Sequence, residues 1–313
     1  MRILLVKTSS LGDVIHNLPV VTDLRKALPH AVIDWVVEDS FADIPRMHPA
    51  VQQVIPVAWR RWRKSLHLCA TWREMRAFRR QMQQEKYRLV IDTQGLLKSA
   101  LIARLANGQH CGYAPASARE PLAALCYEKK FAVGKNLHAV ARNRHLAAQA
   151  AGYALHDAPD YGLAVLPTPT FSNTVVLLTA TSRDDKLWPE ERWIALGQAL
   201  HAQGLRCLLP VGTAPAEQAR AARLAQAIPD AVALPPHNLR ELAAIIADAR
   251  LVIGVDTGLT HLAAALQRPV LALFCASDPA ENGVLAAHSA INLGARGAPP
   301  QVADVLIAAQ TVL

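Results

Sequence analysis

The chain opens with a short apolar run, then a small polar loop, then apolar residues at helical spacing. Residues 3–6 (ILLV) form the run and residues 8–13 (TSSLGD) form the loop. Apolar residues then recur three or four positions apart, at Val14, Leu18, Val21 and Leu24. This period predicts a helix with one buried face. The order strand, loop, helix predicts the first half of a βαβ unit.

The same alternation of predicted strands and helices continues through two halves of the chain. In the first half we predict strands at 31–37, 54–57 and 89–92, and helices at 71–85, 96–105 and 136–151. In the second half we predict strands at 175–178, 205–209, 251–255 and 270–274, and a helix that begins at Pro189. Strands that alternate with helices are typical of doubly wound parallel sheets.

A proline-rich stretch separates the two halves and is typical of a linker. We predict an N-terminal Rossmann-like domain at 1–155, a linker at 156–170 and a C-terminal Rossmann-like domain at 171–313. We also consider that the final helix packs back on the N-terminal domain. Two such halves favour an α/β fold of the GT-B type, with two Rossmann-like domains facing a central cleft that holds the site.

The charge of the chain narrows the choice of partners. The formal net charge of +8 indicates anionic partners, which are nucleic acid, phosphorylated substrates or an acidic membrane surface. No apolar run approaches the roughly 18 residues that span a bilayer, so we expect any membrane contact to be peripheral. The five cysteines contain no CxxC pair, and no suitable DxD pattern occurs, so no metal site is predicted.

Two polar loops carry candidate reactive side chains. Asp13 lies near the start of the first predicted helix, where the helix dipole favours an ionised carboxylate that can act as a general base. The competing interpretation is that Asp13 only caps this helix. The loop 181–189 (TSRDDKLWP) offers two hydroxyls, an arginine and Lys186 to a phosphate. Its competing interpretation is a solvated capping loop.

The segment 254–262 (GVDTGLTHL) follows a predicted strand and opens a helix. Backbone N–H groups at Thr257, Gly258 and Leu259 are candidates to bind a pyrophosphate at the helix N-terminus. A capped helix start is the alternative. His261 lies one turn into this helix, as either a structural or a functional residue.

Basic residues concentrate in the first half. Residues 59–64 (WRRWRK), here called the basic strip, begin a stretch between positions 57 and 88 in which ten Lys or Arg face only Glu74 and Glu85. Arginines interleaved with tryptophans are suited to phosphates at a lipid interface. Binding to nucleic acid and an ordinary exposed charged face are the alternatives.

Several of these motifs together resemble the lipopolysaccharide heptosyltransferases. The resemblance spans nearly the whole chain and is weakest over about the last 40 residues. The segments that carry it are 6–14 (VKTSSLGDV), 183–189 (RDDKLWP) and 255–261 (VDTGLTH). Similarity to the heptosyltransferase I branch of this family is carried by 54–57 (VIPV), the basic strip, 94–99 (QGLLKS) and 118–122 (AREPL).

The resemblance implies an inverting transfer, without a required metal or other cofactor, of L-glycero-D-manno-heptose from ADP-L-glycero-β-D-manno-heptose to the first Kdo of Kdo2-lipid A. It implies a peripheral protein on the anionic cytoplasmic face of the inner membrane, or a cytoplasmic one, that does not act on nucleic acid. By the resemblance, the N-terminal domain binds the acceptor and the C-terminal domain binds ADP-heptose. Asp13 is then the general base, and Lys186 stabilises the departing diphosphate. The donor-side residues are Thr181, Ser182, Lys186, Glu217, Asp256, Thr257, Gly258, Thr260 and His261. The acceptor-side residues are Ser10, Gly12, Arg60, Arg63, Lys64, Arg119 and His138.

Two segments depart from the family pattern. His237 stands near the expected adenine position, where an apolar residue such as Met is expected, and residues 277–297 follow the pattern only loosely. Three alternatives stay open at this point. They are heptosyltransferase II or another core transferase of the same family, a degenerate transferase that binds donor without turnover, and a non-catalytic binder of anionic lipid or nucleic acid. The last leaves the donor loops unexplained.

Overall fold

The apolar runs of the first half align into one parallel sheet. The computed structural model describes residues 1–166, 173–286 and 290–313, and the chain divides into two compact units, Met1–Ala164 and Val165–Leu313. The strands of the first unit are β1 (Arg2–Val6), β2 (Val32–Glu38), β3 (Val51–Val57), β4 (Lys86–Asp92), β5 (Asn107–Tyr113) and β6 (Lys129–Phe131). They are parallel and ordered β3-β2-β1-β4-β5-β6, so their carboxyl ends share one edge of the sheet.

Helices connect these strands. They are α1 (Leu11–Ile15), α2 (Leu18–Ala27), α3 (Asp43–Arg46), α4 (Trp59–Trp62), α5 (Cys69–Gln84), α6 (Leu97–Ala103) and α7 (Ala139–Ala151). The single helix predicted through Val14 and Leu24 is wrong, because the chain forms α1 and α2 separately. Pro19 explains the division, since proline fits a first helical turn but disrupts a helix interior.

Strand β5 was not predicted, because its sequence, NGQHCGY, lacks an apolar run. Its glycines have a packing role that the sequence does not reveal. A Cβ atom at Gly112 would collide with the ring of Tyr127, which covers the strand at that point. The sheet therefore needs glycine where a β-branched residue is usually preferred.

The second unit repeats the topology of the first. Its described strands are β7 (Thr174–Leu178), β8 (Arg206–Leu209), β9 (Val232–Ala233), β10 (Leu251–Val255), β11 (Val270–Phe274) and β12 (Ala290–Gly294). They are parallel in the order β12-β11-β10-β7-β8-β9, which is the chain-order arrangement of the first sheet. The prediction of two Rossmann-like α/β sheets is confirmed.

Helices of the second unit pack on its sheet. They are α8 (Glu190–Ala202), α9 (Pro215–Ala227), α10 (Leu239–Asp248), α11 (Gly258–Ala265), α12 (Pro279–Asn282) and α13 (Val302–Val312). Val305, Ala308 and Ala309 of α13 belong to the core of this unit, which is therefore where the final helix packs. Its return to the N-terminal domain stays a prediction.

The predicted linker 156–170 includes the boundary between the units, and its last four residues, 167–170, lie outside the described residues. Within the described ranges, no helix combines the length and the apolar character needed to cross a bilayer.

Candidate functional site

Asp13 lies at the carboxyl-end edge of the first sheet, in the first turn of α1. Within the described residues, its Oδ1 accepts one hydrogen bond, from Arg119 Nη2 at 2.7 Å. Its Oδ2 accepts from the Ser10 amide at 3.1 Å, the Ser10 hydroxyl at 3.2 Å and Arg119 Nη1 at 3.3 Å. Asp13 therefore does help to cap α1, from its third position, but an arginine 106 residues away also engages both carboxylate oxygens.

Two cations determine the ionisation of Asp13. Burial alone would raise the pKa of its carboxyl, but the charges of Lys7 and Arg119 outweigh burial and hold this pKa well below its usual range. Lys7 is itself buried, and its ammonium donates to Thr93 O at 3.0 Å and to Asn143 Oδ1 at 3.3 Å. Burial lowers the pKa of Lys7 to about 8. Asp13 is thus a carboxylate at neutral pH, the form that a general base requires.

The loop that carries Asp13 is held in place by Gln94, which follows β4. Gln94 Oε1 accepts from both the amide and the hydroxyl of Thr8 at 2.7 Å, and its Nε2 donates to Ser9 O at 2.8 Å. Lys98 Nζ donates to Ser9 Oγ at 2.9 Å. Gln94 and Lys98 lie in the predicted 94–99 motif, but neither was assigned a role from sequence.

A small polar recess adjoins Asp13. Three cationic side chains, those of Lys7, Arg119 and Arg142, line it together with Thr93, Gln94, Tyr113, Ala139 and Asn143. The Arg142 guanidinium lies over the ring of Tyr113, with 5.2 Å from its central carbon to the ring centroid. This concentration of positive charge is suited to an anionic group of a ligand.

His138, predicted on the acceptor side, is the N-cap of α7. Its Nδ1 accepts from the Val140 amide at 3.2 Å, and its ring packs edge-on against His16. This cap is a structural role that the sequence did not indicate.

The basic strip forms α4 and its exposed C-terminal extension. The Arg60 amide donates to Glu38 Oε1 at 3.0 Å, and its guanidinium lies over the Phe41 ring. Arg63 and Lys64 are exposed. Burial lowers the pKa of Lys98, on which the charges of Glu38, Arg60, Arg63 and Asp13 also act. Lys98 therefore interacts electrostatically with both the basic strip and Asp13.

The tryptophans of the strip are not membrane-facing as a group. Trp62 is buried against Phe78, with ring centroids 5.6 Å apart, and its indole N–H donates to Glu74 at 2.8 Å. Trp59 packs on the same core cluster. For Trp62 the interpretation of a ring at a lipid interface is wrong, because this ring anchors α4 to the first unit. Trp59 is only partly buried, and for it the interpretation stays a prediction.

In the second unit, Asp256 gathers several predicted donor-side residues at the end of β10. Lys186 Nζ donates to Asp256 Oδ2 at 2.6 Å, and Thr181 Oγ1 donates to Asp256 O at 3.1 Å. His261 Nε2 lies 3.8 Å from Asp256 Oδ1. Ser277, which was not predicted, donates its hydroxyl to Asp256 Oδ2. Burial opposes ionisation of Asp256, but the neighbouring His261, Lys186 and Ser277 side chains prevail and lower its pKa.

The neighbouring residues of α11 have different roles. Thr257 is the N-cap, and Gly258 begins the helix, so the first amides of α11 lie beside Asp256. Thr260 is buried, and its hydroxyl donates to Val255 O at 2.7 Å. Thr260 therefore supports the turn rather than offering its hydroxyl to a ligand.

Two predicted donor-side residues do not take part in the hydrogen bonds of this cluster. Among the described residues, neither Ser182 nor Glu217 hydrogen-bonds to the Asp256 cluster. Ser182 is exposed, and Glu217 Oε2 accepts from the Gly212 amide at 3.1 Å. His237, the departure near the expected adenine position, contacts Pro235 O through its Nδ1. Across the described ranges, no group of three His, Cys, Asp or Glu side chains is arranged to hold a metal ion.

Known proteins are similar to this chain over most of its length. Residues 75–306 match the family described as glycosyltransferase family 9 (heptosyltransferase). Lipopolysaccharide heptosyltransferase 1 of Escherichia coli K12 is 48% identical over 286 residues, 89% of each chain. Lipopolysaccharide heptosyltransferase 1 of Pseudomonas aeruginosa is 45% identical and is aligned over 94% of this chain and 84% of its own length.

Solved structures share the fold. The structure of E. coli heptosyltransferase WaaC with ADP superposes with a TM-score of 0.94 at 43% identity, covering 100% of both chains. The E. coli ADP-heptose LPS heptosyltransferase II structure superposes with a TM-score of 0.78 at 20% identity, covering 100% of this chain and 98% of the other, a likeness of fold alone. With two Rossmann-like sheets and these matches, the predicted GT-B fold class is confirmed.

Proposed function

This chain belongs to glycosyltransferase family 9, the heptosyltransferase family, and on that premise we propose that it transfers L-glycero-D-manno-heptose from ADP-heptose to the first Kdo of Kdo2-lipid A. Similarity to relatives named lipopolysaccharide heptosyltransferase 1 supports the choice of acceptor. Solved relatives that hold ADP and ADP-2-deoxy-2-fluoro heptose support the choice of donor. The reaction is a step in synthesis of the lipopolysaccharide inner core.

The observation that carries the reaction type is the ionised Asp13 carboxylate, one oxygen of which accepts fewer hydrogen bonds than the other within the described residues. Oδ2 accepts from Ser10 and Arg119, whereas Oδ1 accepts one bond within the described residues, from Arg119, and keeps a lone pair beside it. Oδ1 accepts the proton of the acceptor hydroxyl as that oxygen attacks the anomeric carbon. The bond to the diphosphate breaks on the opposite face, and ADP leaves with the electron pair. One general base is enough for this inversion.

The leaving diphosphate gains negative charge, and the Asp256 cluster supplies positive groups to meet it. Lys186 is held in place by its bond to Asp256, and the first amides of α11 lie alongside. Fixed donors matched to developing charge contribute about 10²–10³ in rate each. We assign this role to Lys186 and the α11 N-terminus, with no metal ion required.

The acceptor carries phosphates on lipid A and carboxylates on Kdo, and the first unit carries the matching cations. Arginine binds both groups in a bidentate manner. We assign acceptor binding to Arg119 beside the polar recess and to Arg60, Arg63 and Lys64 of the basic strip. Ser10, Gly12 and His138 are retained as acceptor-side candidates from the family pattern.

The direct test of this function offers ADP-heptose with Kdo2-lipid A, and separately with an already heptosylated acceptor, and detects products by mass spectrometry. We expect one heptose to be added to Kdo2-lipid A, at equal rates with and without a chelator. Transfer only to the heptosylated acceptor would favour heptosyltransferase II. Loss of activity with the chelator, restored by a divalent cation, would contradict the metal-independent mechanism.

Acceptor assignment is tested by Arg60→Ala and Lys64→Ala. Each removes an exposed cation of the basic strip, so we expect the acceptor KM to rise several-fold while the donor KM changes little. Arg25→Ala, at an exposed arginine in the last turn of α2 that donates to Pro29 O, is the matched control. An unchanged acceptor KM in both strip variants would reject the assignment.

The acceptor is a membrane lipid, so the enzyme must work at a membrane surface. We place it peripherally on the cytoplasmic face of the inner membrane, where ADP-heptose is available and anionic lipids attract its positive charge. Nucleic acid is not assigned as a partner.

A further inference from the structure

Three large apolar side chains are exposed near the start of α5: Leu66 and Leu68 lie between α4 and α5, and Trp72 lies in the first turn of α5. Leu66 and Leu68 are each 47% exposed, and Trp72 is 49% exposed. We propose that these three residues, here called the apolar wedge, insert into the interface of an anionic lipid bilayer. This inference rests on the proposed function only for the identity of the membrane, which is the one that carries the acceptor.

The wedge belongs to a folded turn. The Trp72 indole N–H donates to Leu66 O at 2.8 Å, which joins two members of the wedge. The hydroxyls of Ser65 and Thr71 bond at 2.9 Å, and the Leu68 amide donates to Ser65 O at 3.0 Å. Thr71 is buried beneath the turn. The apolar side chains are therefore held outward by a fixed backbone, and the ordering cost of insertion has already been met by folding.

Basic residues surround the wedge. Between residues 59 and 80 the chain carries eight Lys or Arg and one acidic residue, Glu74. Glu74 forms an ion pair with Arg61 at 2.8 Å and accepts a hydrogen bond from the Trp62 indole N–H. On α5, Arg73, Arg76 and Arg80 are exposed and share one face by helical spacing. Phe78 and Met82 on the other side of α5 are buried in the first unit.

This combination fits a bilayer better than other polyanions. A tryptophan whose indole N–H is hydrogen-bonded and whose ring is partly exposed to solvent is typical of the membrane–water interface. Leucine side chains make no favourable contact with the phosphates of nucleic acid, whereas their transfer from water into the acyl chains of a bilayer is favourable. The arginine face of α5 would lie on acidic headgroups, and the adjacent basic strip would face the same lipid surface.

The test is co-flotation of the full-length protein with vesicles, without donor or acceptor. One vesicle type mixes phosphatidylglycerol with phosphatidylcholine, and the other is phosphatidylcholine alone. We expect binding to the anionic vesicles, weakened about tenfold or more by Leu66→Ser/Trp72→Ser. Arg76→Gln/Arg80→Gln should weaken it several-fold per charge, and only at low salt. The control for apolar exposure is Ile307→Ser in the second unit, where Ile307 is 64% exposed, and the control for charge is Arg240→Gln.

Each outcome decides the proposal. Loss of binding in the wedge variant, with both controls like wild type, supports it, as does a blue shift of tryptophan emission that Trp72→Phe removes. Unchanged binding in the wedge variant overturns it, and so does equal loss in Ile307→Ser. Transfer to a water-soluble, deacylated acceptor should be unaffected by the wedge substitutions. Absence of transfer by wild type would contradict the proposed function alone, because vesicle binding is measured without turnover.

Discussion

Replacing Lys7 by methionine should change how the stability of the protein depends on pH. Lys7 is 2% exposed, and burial lowers the pKa of its ammonium from 10.5 to about 8. The charge of Asp13 opposes this shift, whereas Arg119 adds to it. Methionine keeps most of the side-chain length and cannot bind a proton in this range.

The magnitude follows from linkage. Between pH values of about 8 and 10.5 the folded protein has released the Lys7 proton while the unfolded chain still binds it. The unfolded state therefore binds more protons, and the stability of the wild type rises with pH across this window. A pKa difference of this size corresponds to about 3 kcal/mol. The penalty for holding a charged Lys7 is full below the folded pKa and is removed as the pH approaches the unfolded pKa.

The assay compares urea unfolding of wild type and Lys7→Met at a series of pH values from about 7 to about 11. Tryptophan fluorescence is a suitable signal, because Trp35 donates its indole N–H to Lys7 O at 3.1 Å in the first unit. We expect the free energy of unfolding of wild type, relative to Lys7→Met, to rise by about 3 kcal/mol across the range. Other titrating groups cancel in this difference. Lys26→Met, at a lysine of the same unit whose side chain is 51% exposed, controls for the substitution.

A relative stability that does not change with pH would refute this reasoning. It would mean that Lys7 keeps an ordinary pKa and that the positive charge beside Asp13 is not desolvated as the contacts imply.

Two further predictions concern the second unit and the first sheet. Lys186→Gln should lower kcat by about 10²–10³, because the leaving diphosphate loses its cation; steady-state kinetics would measure this, and a change confined to the donor KM would contradict it. Gly112→Ala should destabilise the protein by about 1–3 kcal/mol, because the added Cβ collides with the Tyr127 ring; thermal unfolding would detect the loss, and an unchanged Tm would show that the ring moves aside freely.

The strands that could be predicted are those buried on both faces. Parallel strands such as β1, β7 and β10 are continuous apolar runs, so their positions are visible without any tertiary information. Strand β5 is different, because glycine is needed there for close packing of Tyr127 from a later segment. That requirement comes from tertiary structure, and no local sequence pattern predicts it.

The candidate site divides in the same way. Asp13 and Lys186 were predictable as candidates because each lies in a polar loop after a parallel strand, at the carboxyl-end edge of its own sheet. Their partners were harder to find. Asn143 meets Lys7 across 136 residues of sequence, and Ser277 meets Asp256 across 21. The only feature of the local sequence that draws attention to Lys7 is its position directly after an apolar strand.

Exposure was the other quantity that the sequence could not supply. Trp62 and Trp72 both lie among basic residues, yet Trp62 is buried and Trp72 is half exposed. The difference depends on contacts with Glu74 and Phe78 from the neighbouring helix. A mixed basic and aromatic stretch therefore predicts an anionic partner without showing which rings face it.

The central claim is that the Asp13 carboxylate removes the acceptor proton. The most direct test compares Asp13→Asn with wild type in single-turnover heptose transfer. Calorimetry measures the binding of ADP-heptose to both proteins. Asparagine keeps the shape of the side chain and cannot act as the base. We predict a transfer rate lower by about 10²–10⁴ with the donor Kd nearly unchanged. A variant that transfers heptose at close to the wild-type rate would contradict the account.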